Sequence, residues 1–222
     1  MATSTTTQLP GTVQIAAPNL RGFDTDTVIN AEQAAAFITA GYSFCIRYLS
    51  LSNGQSTNDL SFNEASVILN AGLALSAVQH VLNPGWVPST SLGTTYGTNA
   101  ATNAASISLP QGMNLWCDLE GVATGTSAQQ VIDYCNAWYN SVAAAGYVPG
   151  IYVGANCILT GSQLYEDLSF QHYWKSLSNV PEIPNRGYQM IQTLGSPVSG
   201  VSIDNDATQN DQKGGAVIWL KV

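Results

Sequence analysis

Short apolar runs alternate with longer amphipathic segments along most of the chain, the pattern produced by parallel strands that helices connect. The apolar runs have strand length, and the segments between them place apolar side chains at helical spacing. Predicted strands cover 21–24, 44–50, 73–81, 113–121 and 150–154, and predicted helices cover 30–40, 61–71, 127–145 and a short piece at 162–168.

Two regions depart from this alternation. Residues 83–110 begin with a Gly- and Pro-containing loop and continue as an Ala- and Asn-rich stretch that we interpret as a weak helix. Beyond residue 170, turns rich in Pro, Gly and Asn connect the strand-like pieces directly. These pieces cover 171–176, 187–194, 200–204 and 216–222. We therefore expect about five strand–helix units followed by helix-poor strands that close a barrel.

The elements predict an α/β fold, a single irregular TIM-like (β/α) barrel, and a length of 222 residues suits one such barrel. We assign residues 20–222 to the barrel and residues 1–19 to a flexible N-terminal arm. The arm lacks the basic start and apolar run of a secretory signal. The chain also lacks a run of apolar residues long enough to span a bilayer.

The amino-acid composition limits the kinds of binding partner that we expect for this chain. The chain has 6 Lys and Arg against 14 Asp and Glu, a net charge of −8, which disfavours nucleic acid and anionic membranes. Only 9% of the residues are charged, and Ser, Thr, Asn and Gly take their place, as is common in exported proteins. We expect a site of action outside the cell or in its envelope, without membrane insertion. The sequence predicts no oligomeric state.

The four cysteines are widely spaced and show no CxxC or Cys/His pattern, so no zinc site is expected. Two of them lie in apolar strand-like runs, where a thiol behaves as a small buried hydrophobe. We expect free thiols, with one disulfide as the alternative, and no cofactor.

Acidic residues collect at the ends of predicted strands. In barrels of this kind catalytic groups lie at the C-terminal ends of the strands. Six of the 14 acids fall at such ends: Asp24, Asp26, Asp118, Glu120, Asp204 and Asp206.

The pair Asp118 and Glu120 is the strongest candidate. The two residues are two positions apart on one strand, so their side chains and that of Trp116 share a face. If that face is the barrel lumen, close like charges raise one pKa and provide a proton donor beside a carboxylate, the pair that glycoside cleavage requires. The alternative is that such acids cap helices or bind loop backbone, which is our preferred interpretation for Asp26 and Asp206.

A family resemblance follows from motifs in a fixed order: GFD in the first strand, LWCDLEG in the fourth, GYVPGIYV at the fifth, then IQT and VSIDND. Together they resemble the Chalaropsis-type lysozymes, glycoside hydrolase family 25. The pair GFDTDT and FCIRYLS is more similar to related glycoside-hydrolase-like domains of unknown function in bacterial envelope proteins. The resemblance covers residues 20–206. It implies an irregular barrel that cleaves the β-1,4 bond between N-acetylmuramic acid and N-acetylglucosamine.

Carried over motif by motif, the resemblance implies Glu120 as proton donor. Asp118, Asp24 and Asp204 would be its electrostatic partners or would assist the attack on the sugar. Candidates for sugar binding are the polar and aromatic residues near other predicted strand ends, each of which could equally pack against loops. They are Tyr48, Gln79, Tyr152, Trp174 and Gln192.

The sequence also departs from the lysozyme pattern. Gln79 and His80 stand where those enzymes carry a Tyr-His-aromatic run, and the pair Arg47 and Tyr48 is shared only with the relatives of unknown function. A buried Arg47 would need a partner, and we expect one of the rim carboxylates. His80 is more simply interpreted as a satisfied core or loop histidine than as a catalyst.

Two functions from different classes remain open. One is a muramidase-type hydrolase acting on peptidoglycan. The other is a catalytically inactive carbohydrate-binding or assembly-associated module on the same fold. A Ca²⁺ or Mg²⁺ site is a third reading of clustered carboxylates, but no loop has EF-hand spacing and we expect no metal.

Overall fold

The computed structural model describes residues 8–222, and within that range it contains ten strands and five helices. The strands are β1 Thr12–Ile15, β2 Arg21–Asp24, β3 Phe44–Leu49, β4 Ala74–Gln79, β5 Asn114–Leu119, β6 Val148–Val153, β7 His172–Lys175, β8 Met190–Leu194, β9 Asp204–Thr208 and β10 Ile218–Lys221. The helices are α1 Ala31–Thr39, α2 Phe62–Asn70, α3 Thr90–Ser106, α4 Ala128–Ala144 and α5 Gly161–Glu166.

Eight strands close into a barrel, in the order β4-β3-β2-β9-β8-β7-β6-β5, because β5 pairs with β4. Strands β2 to β8 run parallel, and β9 runs antiparallel between β8 and β2. A helix follows each strand from β2 to β6, and in the described chain none follows β7 or β8. The expected α/β barrel of five strand–helix units with helix-poor closing strands is confirmed.

The last strand does not close the barrel as we expected for residues 216–222. Strand β10 pairs with β1 along its whole length, and its ladder pairing with β4 is limited to Leu220 opposite Leu75. This antiparallel pair lies outside the ring, and Trp219 packs on Phe44 inside it with ring centroids 5.0 Å apart. Part of the predicted flexible arm is therefore a strand, because Thr12–Ile15 finds a partner in β10. Residues 1–7 of that arm lie outside the described residues.

The predicted weak helix in 83–110 is the 17-residue helix α3. Ser89 caps it by accepting a hydrogen bond from the amide of Leu92. A Cβ atom added at Gly93 would lie 2.2 Å from the carbonyl oxygen of Tyr134, and one at Gly97 would lie 2.6 Å from that of Trp138. The glycines that weaken the helix in isolation thus permit its close backbone contact with α4.

The partner of Arg47 is not a rim carboxylate. Side chains alternate along β3, so Arg47 points away from the lumen and toward α2. Its Nε donates to Glu64 over 2.6 Å, and its two other nitrogens donate to the carbonyls of Thr25 at 2.5 Å and Asn58 at 2.9 Å. This buried ion pair fastens the loops after β2 and β3 to the helical layer.

All four cysteines are buried, and none of them is paired in a disulfide. No helix in residues 8–222 is long and apolar enough to cross a membrane.

We predict that Glu64→Ala lowers the free energy of unfolding by about 3–5 kcal/mol, because it leaves the fully buried Arg47 guanidinium without its counter-charge. Glu32→Ala is the matched control, since Glu32 is also an acid in the first turn of a helix but is exposed. It should cost no more than about 1 kcal/mol. Denaturant unfolding measures both, and equal losses would contradict the assigned role of the buried pair.

Candidate functional site

The barrel lumen is divided into an apolar floor and an acidic rim. Alternation along the strands turns the floor side chains inward, where they pack in one buried cluster. Its largest members are Phe44, Ile46, Trp116, Trp174, Met190 and Trp219. Trp116 satisfies its indole N–H on Ser76, at 3.0 Å, and Trp174 satisfies its own on Asp206, at 2.8 Å.

Above the floor lies a pocket of about 460 Å³ at the rim of the barrel. It contains all four residues proposed as catalytic, namely Asp24, Asp118, Glu120 and Asp204. The exposed Asp26, the rings of Tyr48 and His80, and the residues Thr25 and Ser202 also line it. Residues from β2, β5 and the start of β9 therefore meet at one opening.

Asp204 reaches this opening by a route that the sequence did not predict. We expected a strand over 200–204 ending at Asp204, whereas β9 begins there. Because β9 is antiparallel to its neighbours, its first residues lie at the same rim as the last residues of β2, and Asp204 is the register partner of Asp24. The predicted position of the acid is right, although the predicted strand is wrong.

Asp24 is the best-connected carboxylate of the pocket. Gln192 donates to its Oδ2 over 2.7 Å, and the Tyr48 hydroxyl lies 3.4 Å from its Oδ1. Burial raises the pKa of Asp24 to about 6, and the hydrogen bonds from Gln192 and from a protonated Asp206 oppose that rise. Asp24 therefore changes charge in the mildly acidic range.

Asp206, which we had interpreted as a turn or cap residue, lies instead within β9, and that interpretation is wrong. It points into the lumen, is 2% exposed, and accepts the hydrogen bond from Trp174. Burial, followed by the nearby Asp24, raises its pKa well above the usual range and favours its neutral form. Its two-residue spacing from Asp204 is the same signal that singled out Asp118 and Glu120, and would have identified it.

Asp118 and Glu120 divide the roles expected of a carboxyl pair. Burial raises the pKa of Asp118 well above the usual range, and the charges of Glu120 and Asp24 add to the effect. Asp118 is 7% exposed, and its Oδ1 has no hydrogen-bond partner within residues 8–222. Burial also raises the pKa of the half-buried Glu120. Burial thus favours the neutral form of Asp118, and Glu120 is the more exposed member of the pair.

The backbone around Glu120 is shaped to accommodate its side chain. A Cβ atom at Gly154, just beyond β6, would lie 2.5 Å from the Glu120 Cβ and 2.7 Å from its Oε2. The indole of Trp86 donates to the Glu120 carbonyl over 2.8 Å and fixes the start of the following loop. Neither contact was predicted from the sequence, because both depend on loops that pack across the barrel.

Two residues proposed to bind sugar do not face the pocket. Gln79 points from β4 into the helical layer, where it donates to the carbonyls of Ser50 and Tyr96 and accepts from the Trp138 indole at 2.8 Å. Trp174 is 1% exposed and belongs to the floor. Direct contact of either with a ligand in this pocket is therefore excluded, and we correct both assignments.

The other three sugar-binding candidates surround Asp24. Tyr48 lines the pocket, and Gln192 is buried beneath it with its amide on Asp24. Tyr152 donates to the Oε1 of Gln192 over 2.9 Å and so orients that amide. Tyr152 and Gln192 position the carboxylate, whereas only Tyr48 is placed to contact a ligand.

His80 is a functional candidate that the sequence underestimated. Its Nε2 lies 2.7 Å from Asp59, and its ring stacks on Tyr48 with centroids 4.6 Å apart. Its side chain is 38% exposed and lines the acidic pocket. The carboxylate of Asp59 therefore sets the orientation of a ring that faces the site.

The chemistry of the site is that of carboxyl groups. Across residues 8–222, no group of three or more His, Cys, Asp or Glu side chains is arranged to hold a metal ion. The pocket presents several carboxyl groups, some with a pKa raised by burial, and an aromatic ring at the mouth of a (β/α) barrel. These features define a glycoside-hydrolase-like barrel.

Sequence comparison gives the same class. Residues 35–215 match the family described as Rv2525c-like, glycoside hydrolase-like domain, and the chain belongs to this family. The resemblance drawn from the motifs is thereby confirmed. A comparison with curated protein sequences gives no match.

Solved structures share the fold. The Mycobacterium tuberculosis Tat-secreted protein Rv2525c, in complex with L-tartrate, is 17% identical with a TM-score of 0.67, over 88% of this chain and 97% of that one. The bacterial lysozyme from Streptomyces coelicolor is 17% identical with a TM-score of 0.59, over 88% and 94%. A family 25 glycosyl hydrolase from Bacillus anthracis is 13% identical with a TM-score of 0.56, over 95% and 96%. At these identities the likeness concerns the fold.

We predict that Asp24→Asn stabilises the protein above pH 6 and that the gain vanishes near pH 4. A pKa raised from 3.8 to about 6 means that the ionised carboxylate destabilises the folded state once the pH exceeds this range. At about 1.4 kcal/mol for each pKa unit, the gain should be about 1–3 kcal/mol.

Asp59→Asn is the matched control with the opposite sign. Burial raises the pKa of Asp59, but hydrogen bonds from Ser50 and His80 outweigh it and leave the pKa lowered. Its ionised form thus stabilises the fold, so the asparagine variant should be less stable at pH 7 and approach wild type as the pH falls. Thermal unfolding from pH 4 to 8 measures both, and a loss of stability in both variants at pH 7 would refute the assignment for Asp24.

Proposed function

We propose that the protein is a glycoside hydrolase of the lysozyme or muramidase type that cleaves β-1,4 bonds of bacterial peptidoglycan. The observation that carries this proposal is the position of Glu120: it lies in an open pocket with its pKa raised by burial, next to Asp24 and Asp118. A proton donor with carboxylates near it is the arrangement that cleaves glycosidic bonds.

In the proposed mechanism, Glu120 donates its proton to the oxygen of the scissile bond. The bond between the anomeric carbon and this oxygen then breaks, positive charge develops on the sugar ring, and the carboxylates of Asp24 and Asp204 stabilise it across the pocket. Water adds to the anomeric carbon and gives a proton to one of these carboxylates, and exchange with solvent returns a proton to Glu120. Asp118 lies beside Glu120 with its Oδ1 buried and without a hydrogen-bond partner in residues 8–222. Burial favours the neutral form of Asp118, and in that form it adds no negative charge that would compete with the substrate for the proton.

The substrate class rests on two kinds of support. The pocket presents hydrogen-bonding groups and the Tyr48 ring, which suit a sugar better than an apolar ligand. The structural neighbours include a lysozyme, a muramidase from Trichobolus zukalii and the endolysin ply40 of a Listeria phage. A glycan is therefore the partner that we propose for this chain.

A glycan substrate also favours a place of action. Peptidoglycan lies outside the cytoplasmic membrane, and the neighbour Rv2525c is a Tat-secreted protein. We propose that this protein acts outside the cell or in the cell envelope, in keeping with its charge-poor surface composition.

Digestion of purified peptidoglycan tests the function. Wild type should release reducing ends, and Glu120→Gln should lower kcat by about 10²–10⁴-fold, the contribution of a positioned general acid. Glu32→Gln, a substitution on the exposed face of α1, should retain full activity. Glycan binding without turnover by the wild type would refute the hydrolase and support the carbohydrate-binding module on the same fold.

A second variant tests the position of Glu120 without changing its chemistry. We expect Gly154→Ala to lower kcat by about 10²-fold, because the added methyl group displaces the Glu120 side chain from its present position. Ala155→Ser adds one atom at the exposed neighbouring position and should leave kcat unchanged. Full activity of Gly154→Ala in a folded protein would show that the present position of Glu120 is not the active one.

A further inference from the structure

A second chamber opens beside the acidic pocket, on the side of the loop that follows β3. Its volume is about 800 Å³, and six residues of that loop, with Thr27 and Val28, form most of its wall: Ser50, Leu51, Ser52, Ser56, Asn58 and Asp59. Volumes of roughly 300–1,000 Å³ are usual for small-molecule sites. The chamber shares Asp26 and His80 with the acidic pocket, so the two spaces adjoin at these side chains.

Buried side chains of the neighbouring elements hold the wall of this chamber rigid. Asn103, which is fully buried on α3, donates to the carbonyls of Ser50 at 3.1 Å and Ser52 at 2.9 Å and accepts from the amide of Gly54 at 2.8 Å. Arg47 donates to the carbonyl of Asn58. Buried polar side chains thus fix the loop in one conformation, which reduces the entropy lost when a ligand binds.

His80 forms the partition between the two chambers. Its Nε2 is bound to Asp59, whose carboxylate is held in turn by the Ser50 hydroxyl. One face of the ring is stacked on Tyr48. Among the contacts of residues 8–222, its Nδ1 has no protein partner, so this nitrogen is the one available to a ligand.

The chemistry of the wall indicates an uncharged polar ligand. Ser52 and Ser56 provide hydroxyl groups, and Val28, which is 44% exposed, provides a small apolar surface. No Lys or Arg of residues 8–222 lines either chamber, whereas Asp26 and Asp59 do, which disfavours phosphate or carboxylate ligands. Hydroxyl groups on a ring, together with an acetyl methyl group, match this combination.

We propose that this chamber is a second sugar-binding site for an N-acetylhexosamine unit of the glycan chain whose bond is cleaved at Glu120, with His80 contacting the units on both sides. The identity of the chain rests on the proposed function. The proposal of a second site is based on the wall that the two chambers share and on the rigid loop. It can be tested by measuring oligomer binding, which does not require turnover.

The probe is a series of β-1,4-linked N-acetylglucosamine oligomers of increasing length, with affinity measured by calorimetry. Wild type should bind longer oligomers at least tenfold more tightly than the dimer. Ser52→Arg places a long side chain in the chamber and should abolish this gain. Thr57→Arg makes the same change at an exposed position of the same loop outside the chamber wall and should behave as wild type.

The outcomes separate the site from the reaction. If Ser52→Arg keeps the full length dependence while remaining folded, or if wild type shows none, the second site is refuted. If the length dependence is present and is lost only in Ser52→Arg, but peptidoglycan is not cleaved, the site stands and the hydrolase proposal fails. If peptidoglycan is cleaved but Ser52→Arg has no effect on oligomer binding, the hydrolase proposal stands and the second site is refuted.

Discussion

The burial of carboxyl groups at the mouth of a closed barrel is the constraint on which the rest of the structure depends. Closure of the ring by β4 and β5 forces alternate side chains inward, and Asp24, Asp118 and Asp206 lose most of their water there. Desolvation is the largest cause of the raised pKa of each. The lumen therefore contains several acidic residues but carries little negative charge at mildly acidic pH.

The surrounding structure compensates for this cost in two ways. The apolar floor provides the packing, and it also places the Trp174 indole where it donates to Asp206. Outside the ring, Arg47 and Glu64 tie the β2 and β3 loops to α2, so that the residues next to Asp24 and Tyr48 are held from the helical side. A barrel without these outer contacts would still close, but its rim loops would be free to move.

Sequence periodicity identified the barrel because helical and strand spacing differ clearly over β2 to β6. It identified Asp118 and Glu120 because two-residue spacing on an apolar strand requires a common face. It failed where a long-range contact decides the outcome. The direction of β9 depends on its neighbours β8 and β2, and the partner of Arg47 depends on the face of β3 that α2 covers. The local sequence pattern predicts neither the direction of β9 nor the partner of Arg47.

The same alternation explains why Gln79 and His80, which are neighbours in the sequence, lie in different surroundings. Gln79 is the last residue of β4 and points outward, so it binds the helical layer. His80 follows it by one position and must therefore point to the opposite side, toward Tyr48 and the pocket. Two residues that are adjacent in the sequence thus have different positions: the amide of Gln79 lies in the helical layer, and the imidazole of His80 lies at the pocket. Substrate contacts of this fold have to be assigned from the strand register, because the residue type alone favours the amide and the imidazole equally.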